Sequence, residues 1–304
     1  MTTVTYHNNT NDLQDVFDKF TLSQPYDFLT TMLRKEKTLY ACTDYISVQR
    51  HRNRPSYCKS VNNCYFSGNE KYDINKDLRE KLCQWSYNVV DHFEVSREAV
   101  AISMNILDRF IAKVFCGSIE FQLAAMTTLY ITFKLHKYHH LNAKTFVELS
   151  QGHITVENLT CSEMYILQTL LWHVNPPTAH SFARNFMYLL PKSISSSSGE
   201  HIYDQTQFLL ELAVCDYSLV TCHPSLIAFA AIFLVVDNLG QIEFPLNERN
   251  TFFGSIRKHI GLDVSIEIIK VKERLARLYR EQIPTSREVP SPVCVSFYDD
   301  DMLL

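Results

Sequence analysis

From Asn75 onward, apolar residues recur at helical spacing, beginning with Leu78, Leu82, Trp85 and Val89, which share one stripe of a helix. Ser96 reads as an N-cap with Glu98 in the first turn, opening a second helix through Ile102, Ile106 and Phe110. The segment FQLAAMTTLYITFK (121–134) is apolar or small on every side, which suits a central helix enclosed by others. A short helix follows near Thr145 to Gln151. Thr155 then caps a helix that carries Leu159, Met164, Leu167 and Leu171, and Pro176 and Pro177 bring it to a stop. The pattern therefore predicts five helices in a first bundle over 76–177.

A second unit repeats this order at an offset of 103 residues. LAAMTTLYITFK (123–134) falls over LIAFAAIFLVVD (226–237), again small and apolar on all faces. Ile106, Leu107, Phe110 and Ile111 fall over Leu209, Leu210, Ala213 and Val214, and the helix from Val156 meets one running from His259 toward Tyr279. The expected fold is thus all-α: two tandem five-helix bundles, the second over 178–283, behind an N-terminal extension (1–75). That extension reads as a helix from Asp12 to Lys37 and then a polar, basic loop, QRHRNRPSYCKSVNN (49–63). PKSISSSSGE (191–200) reads by composition as a flexible loop between the units, and 284–304, with Pro290, Pro292 and three aspartates, as a flexible tail.

Composition narrows the function classes. At 304 residues a single core stops growing and chains divide in two. Seven glycines argue against a turn-rich β fold or a phosphate-cradling nucleotide enzyme. A formal charge of -4 gives no drive toward nucleic acid or anionic lipid. The longest apolar run, Leu226 to Val236, is about half the ~20 residues that cross a bilayer, and MTTVTYHNNTNDLQD lacks a basic-then-apolar leader, so an intracellular protein is expected, in nucleus or cytoplasm. The nine cysteines include no CxxC pair and read as reduced thiols. His136, His139 and His140 have the i, i+3, i+4 spacing that can grip a metal from one helix face. They lack the glutamate of HExxH and a nearby third ligand, so neither a metal nor any other cofactor is expected.

Blocks of the first unit resemble the cyclin box in order and separation. LREKLCQW (78–85) resembles its first helix and MNILDRF (104–110) its second. FQLAAMTTLYITFK resembles its third helix, SEMYILQTLLW (162–172) its fifth, and NPPTAHSF (175–182) the link into a second cyclin fold. The resemblance implies a non-catalytic regulatory subunit that binds and switches on a cyclin-dependent serine/threonine kinase and helps control cell-cycle progression. Lys134 and Glu163 match the cyclin lysine and glutamate that hydrogen-bond main-chain groups beside the kinase's mobile αC helix, with Leu135 adjoining them. Taken alone, such a pair is also what two helix ends reaching water look like. Arg79 and Asp108 match a structural pair that bridges the first two helices.

Leu78, Leu82, Trp85 and Gln122 match the patch through which many cyclins capture Arg-x-Leu peptides of substrates and inhibitors. A Leu/Leu/Trp stripe suits a packed core equally well, and the sequence leaves both readings open. The chain departs from the family after Lys134, where Leu135, His136 and Lys137 replace an aromatic residue and two acids. In the docking helix Lys81 replaces an apolar residue and Asn88 an acid, with Asp91 one turn on as the substitute acid. Three other readings compete: a cyclin-fold adaptor with little kinase activation, a transcription-factor-B-like or pocket-protein-like module, and a histidine-dependent metallohydrolase. The second would be expected to bring a zinc ribbon and a basic face, and the chain has neither.

Overall fold

The computed structural model of the chain describes residues 24–51, 74–138, 141–262 and 264–282. Among the described residues there are twelve α-helices, one short 3-10 turn and no strand, and none of the helices is long and apolar enough to cross a membrane. Helices α1 (Gln24–Lys37) and α2 (Tyr45–His51) precede two bundles. The first comprises α3 (Lys76–His92), α4 (Glu98–Ile111), α5 (Ser118–Leu135), α6 (Ala143–Leu149) and α7 (Val156–Thr169). The second comprises α8 (Ala179–Met187), α9 (Ser196–Cys215), α10 (Pro224–Asn238), α11 (Leu246–Ile260) and α12 (Ile266–Gln282).

Each bundle is built around the helix whose sequence is apolar on all sides. In α5 every residue from Glu120 to Phe133 is buried. Its threonines survive there by bonding backward: Thr127 Oγ1 donates to Leu123 O (2.7 Å), Thr128 Oγ1 to Ala125 O (2.9 Å) and Thr132 Oγ1 to Thr128 O (2.8 Å), so no hydroxyl among them is left unsatisfied. In α10, Pro224 opens the helix, and Ala228, Ala230 and Ala231 are fully buried, small enough to let neighbouring helices approach closely. Phe110, Phe121 and Phe133 fill the first core, and Phe182, Phe229 and Phe252 the second.

The N-terminal helices belong one to each bundle. Leu29 and Met32 of α1 are buried in the second core, whereas Tyr45 and Ile46 of α2 are buried in the first. Polar bonds tie the start of α2 both to the first bundle and to the turn after α9. Tyr45 Oη donates to Asp108 Oδ1 (3.0 Å), and Tyr217 Oη, in the 3-10 turn after α9, accepts from Ile46 N (3.0 Å) and donates to Asp44 Oδ1 (2.8 Å).

Several element boundaries differ from those expected. The helix expected over 12–37 begins, among the described residues, at Gln24. Gln49 to His51, expected as loop, form the last turn of α2; residues 52–63 of that stretch, and the tail from 284, lie outside the described residues. Ser96 is not the N-cap of α4. Arg97 holds that position in helical geometry, and Ser96 takes part only through its carbonyl, which accepts from Ala99 N. The short helix lies two residues earlier than expected because Asn142 caps it by accepting from Lys144 N and Thr145 N. The serines of 196–198 are helical, not loop: Ser195 Oγ accepts from Ser198 N and starts α9 there. This stretch also lies inside the second bundle, after α8, rather than between the bundles.

One helix ends earlier than its sequence suggests. Helix α7 ends at Thr169, well before Pro176, because Leu171 turns left-handed (φ 52°), Leu171 N donates to Gln168 O and Trp172 N to Leu167 O (2.8 Å). The same double closure follows α3, where Glu94 is left-handed (φ 53°), and α5, where Lys137 is (φ 62°). No glycine marks these three ends, so the sequence carries no visible stop. A glycine does end α11: Gly261 (φ 76°) separates it from α12, so His259 lies in the last turn of α11 and the last helix starts at Ile266.

Candidate functional site

Helix α5 is enclosed until its last turn, where the chain emerges at a charged residue. Lys134 Nζ donates to Glu163 Oε1 of α7 at 2.6 Å, with the lysine side chain 50% exposed and the glutamate 14%. The ammonium also stands over the Tyr130 ring, 5.2 Å from its centroid. Because the lysine is well solvated, the pair is worth little to stability, about 0–1 kcal/mol. Both groups can therefore be re-paired with another molecule at small cost.

Leu135 (44% exposed) and Met164 (49%), each next in sequence to one member of the pair, face solvent, and past the end of α7 so do Leu171 (71%) and Trp172 (62%). Sequence reasoning assigned Met164 and Leu171 to the apolar stripe of α7. The stripe runs instead through Leu159, Ser162, Ile166 and Leu167, and Leu170 closes it; Met164 falls off that face, and Leu171 lies beyond the helix end in its left-handed turn. Trp172 was missed as a surface residue. It follows Leu171 in a left-handed pair (φ 52° and 62°), so it stands outside the helical stripe.

Arg79 and Asp108 meet in a two-pronged pair. Arg79 Nε donates to Asp108 Oδ1 (2.9 Å) and Nη2 to Oδ2 (2.8 Å), with both side chains at most 5% exposed. Burial opposes the arginine's charge, but the facing carboxylate more than offsets it and holds the guanidinium protonated. The third nitrogen does what the sequence did not reveal: Nη1 donates to the carbonyls of Val214 (2.9 Å) and Cys215 (3.1 Å), fastening the first bundle to the second.

The four residues that match a peptide-docking patch in sequence are placed unevenly. Leu78, Leu82 and Gln122 are buried, and Trp85 is partly buried against the first core. Lys81 and Asn88 are exposed on the same helix. Asp91 is engaged: Arg97 Nη1 donates to it at 2.6 Å, while Arg97 Nε pairs with Glu211 at 2.9 Å. Of the histidine cluster, His136 is exposed, and His139 and His140 lie outside the described residues; among the described residues no group of three or more metal-ligating side chains converges.

The order of elements and the position of the ion pair can be compared with known proteins. The family model described as "Cyclin, N-terminal domain" matches residues 44–175, and that described as "Cyclin, C-terminal domain" matches residues 177–264. The chain belongs to the cyclin family. The matched N-terminal span takes in Asp44 and α2 along with the first bundle. Among curated cyclins, the G2/mitotic-specific cyclin-B of Dictyostelium discoideum is 30% identical over 164 residues, covering 54% of this chain and 36% of that protein. The human G2/mitotic-specific cyclin-B2 is 25% identical over 244 residues, 78% of this chain and 58% of that one. The aligned part thus spans about one third to three fifths of these relatives' own length. In fold, this cyclin is similar to the crystal structure of a viral cyclin from herpesvirus saimiri, with a TM-score of 0.52 at 18% identity, over 68% of this chain and 87% of that one.

Proposed function

We propose that this cyclin does no chemistry of its own and acts by binding a cyclin-dependent serine/threonine kinase and switching it on in the course of cell-cycle progression. The observation that supports the reading is the surface where α5 leaves the core: the solvated Lys134–Glu163 pair with exposed Leu135 and Met164 adjoining it in sequence. A lysine and a glutamate held by rigid helices can bond backbone carbonyls and amides of a partner whatever its side chains, through charge-assisted bonds worth about 1.5–3 kcal/mol each. Apolar neighbours supply the area that such a contact buries.

A kinase of this class is idle while the glutamate of its αC helix is displaced from the ATP-orienting lysine. A surface that binds only the inward helix shifts the population by its differential affinity for that state. Binding of a cyclin-dependent kinase by the purified chain, with activity assayed in the bound fraction, tests this. Loss of both on Lys134→Ala/Glu163→Ala is expected, and a folded double variant that activates fully contradicts it.

A second reading, an adaptor that binds with little activation, draws support from Leu135, His136 and Lys137, which are exposed where the cyclin box is expected to carry an aromatic residue and two acids. The same assay separates the two by whether captured kinase is active. Capture of Arg-x-Leu peptides is the part of the proposal with least structural support, since only Trp85 of its four residues is partly open and Asp91 is already paired.

A further inference from the structure

Two thiols meet across the seam between the bundles. Cys83, on α3, and Cys215, the last residue of α9, have their Sγ atoms 3.3 Å apart although they are 132 residues apart in sequence. Their approach is set by Arg79. It precedes Cys83 by one helical turn and donates to the Cys215 carbonyl, so the residue that joins the bundles also holds one sulfur against the other. Cys83 is fully buried, whereas Cys215 is partly accessible.

We infer that Cys83 and Cys215 form a peroxide-responsive dithiol that closes to a disulfide and locks the first bundle onto the second. The two sulfurs are unequal in the way the reaction requires. The hydrogen bond with Cys83, aided by the nearby Arg79 guanidinium, lowers the Cys215 thiol below its ordinary pKa, while burial pushes Cys83 up. The accessible Cys215 thiolate attacks a peroxide oxygen; the O–O bond breaks, hydroxide leaves and takes up a proton, and Cys215 becomes a sulfenic acid. The Cys83 sulfur then attacks Cys215 sulfur, the S–O bond breaks, and water departs with the Cys83 proton. The balance is two thiols and one hydrogen peroxide to one disulfide and two waters. Closing the gap from 3.3 Å to the ~2.05 Å of a disulfide asks each helix to move by about half an ångström.

The test uses the full reduced chain treated with hydrogen peroxide and mapped by mass spectrometry of non-reduced peptides, with free thiols blocked first. A Cys83–Cys215 linked peptide is expected, reversed by dithiothreitol and accompanied by a higher Tm in the oxidised protein. Cys215→Ser, at the partly exposed position, abolishes the link and the Tm rise, whereas Cys222→Ser, on the same tryptic peptide as Cys215, leaves both. Peroxide that carries Cys215 to the sulfinic acid with no link overturns the inference. So does a link to Cys83 that persists in Cys215→Ser.

Discussion

The carboxylate of Glu36 caps a helix through a residue 189 positions later: it accepts from Ser225 N at 2.9 Å and from Ser225 Oγ at 2.6 Å, at the first turn of α10. Glu36 is 1% exposed, and burial raises its pKa while the Ser225 bonds pull it back down. The extension is therefore a working part of the second bundle, and α1 supplies the anion that the N-terminus of the central helix calls for.

Removing that cap leaves a buried amide without its acceptor. Glu36→Ala is expected to cost about 1–3 kcal/mol, read as a lower urea midpoint at unchanged m-value. Glu36→Gln, which keeps an acceptor oxygen, retains part of the difference.

The Arg79–Asp108 pair predicts a larger loss. Asp108→Ala strands a buried guanidinium and is expected to cost about 3–5 kcal/mol. Replacing both residues with apolar ones of similar size recovers much of this within the first bundle, but the carbonyls of Val214 and Cys215 lose their donor. Amide hydrogen exchange in the double variant is therefore expected to rise around the end of α9 more than inside α3 or α4.

Glu94 closes α3 in a left-handed conformation that costs a residue with a Cβ about 1–2 kcal/mol, offset in part by the ~0.5–1 kcal/mol that glycine loses on ordering. Glu94→Gly is accordingly expected to stabilise the protein by about 0.5 kcal/mol, measured by thermal or chemical unfolding, without altering partner binding.

His180 sets an acid limit. It is 2% exposed, and neither ring nitrogen has a protein hydrogen-bond partner among the described residues. Burial lowers its pKa from 6.5 to about 4, opposed by the carboxylate of Glu98. Between those values the unfolded chain takes up a proton that the folded chain refuses, so stability falls as pH drops from about 6.5 to about 4. At about 1.4 kcal/mol per pKa unit the full span is worth about 3 kcal/mol. Glu98 adds to the loss further down: held by Arg184 and Thr178, its pKa lies below the usual value, so its contribution is present above that value and fades as it protonates. Denaturation curves from pH 7 to pH 4 check the slope, and His180→Phe is expected to flatten the part above pH 4.5.

The two central helices were the most legible part of the fold, because a segment apolar on every face has only one place to go in an all-helical protein. Helix ends were less so. Pro176 and Pro177 are conspicuous but stand beyond the end of α7, which Leu171 closes without a glycine. The serines of 196–198 look like linker until Ser195 is seen to cap them. The 103-residue offset holds for the central helices, α5 starting its repeat at Leu123 and α10 at Leu226, and fails at the last pair, where Gly261 pushes the start of α12 to Ile266.

At the site, Lys134 was legible as the charge that ends an apolar helix. Glu163 became visible only through the family resemblance, and the exposed Met164, Leu171 and Trp172 only once the turn after α7 was known. The bonds from Arg79 to the second bundle were invisible in sequence because their acceptors are backbone carbonyls, which any residue provides.

The most direct test of the account is the activity of a cyclin-dependent kinase captured by this chain, measured side by side for the native protein and for Lys134→Ala/Glu163→Ala of equal helix content by circular dichroism. Active captured kinase with the native chain, and loss of both capture and activity with the variant, is the expected result. Equal capture and activity with both proteins, or a well-folded native chain that captures no kinase, would contradict it.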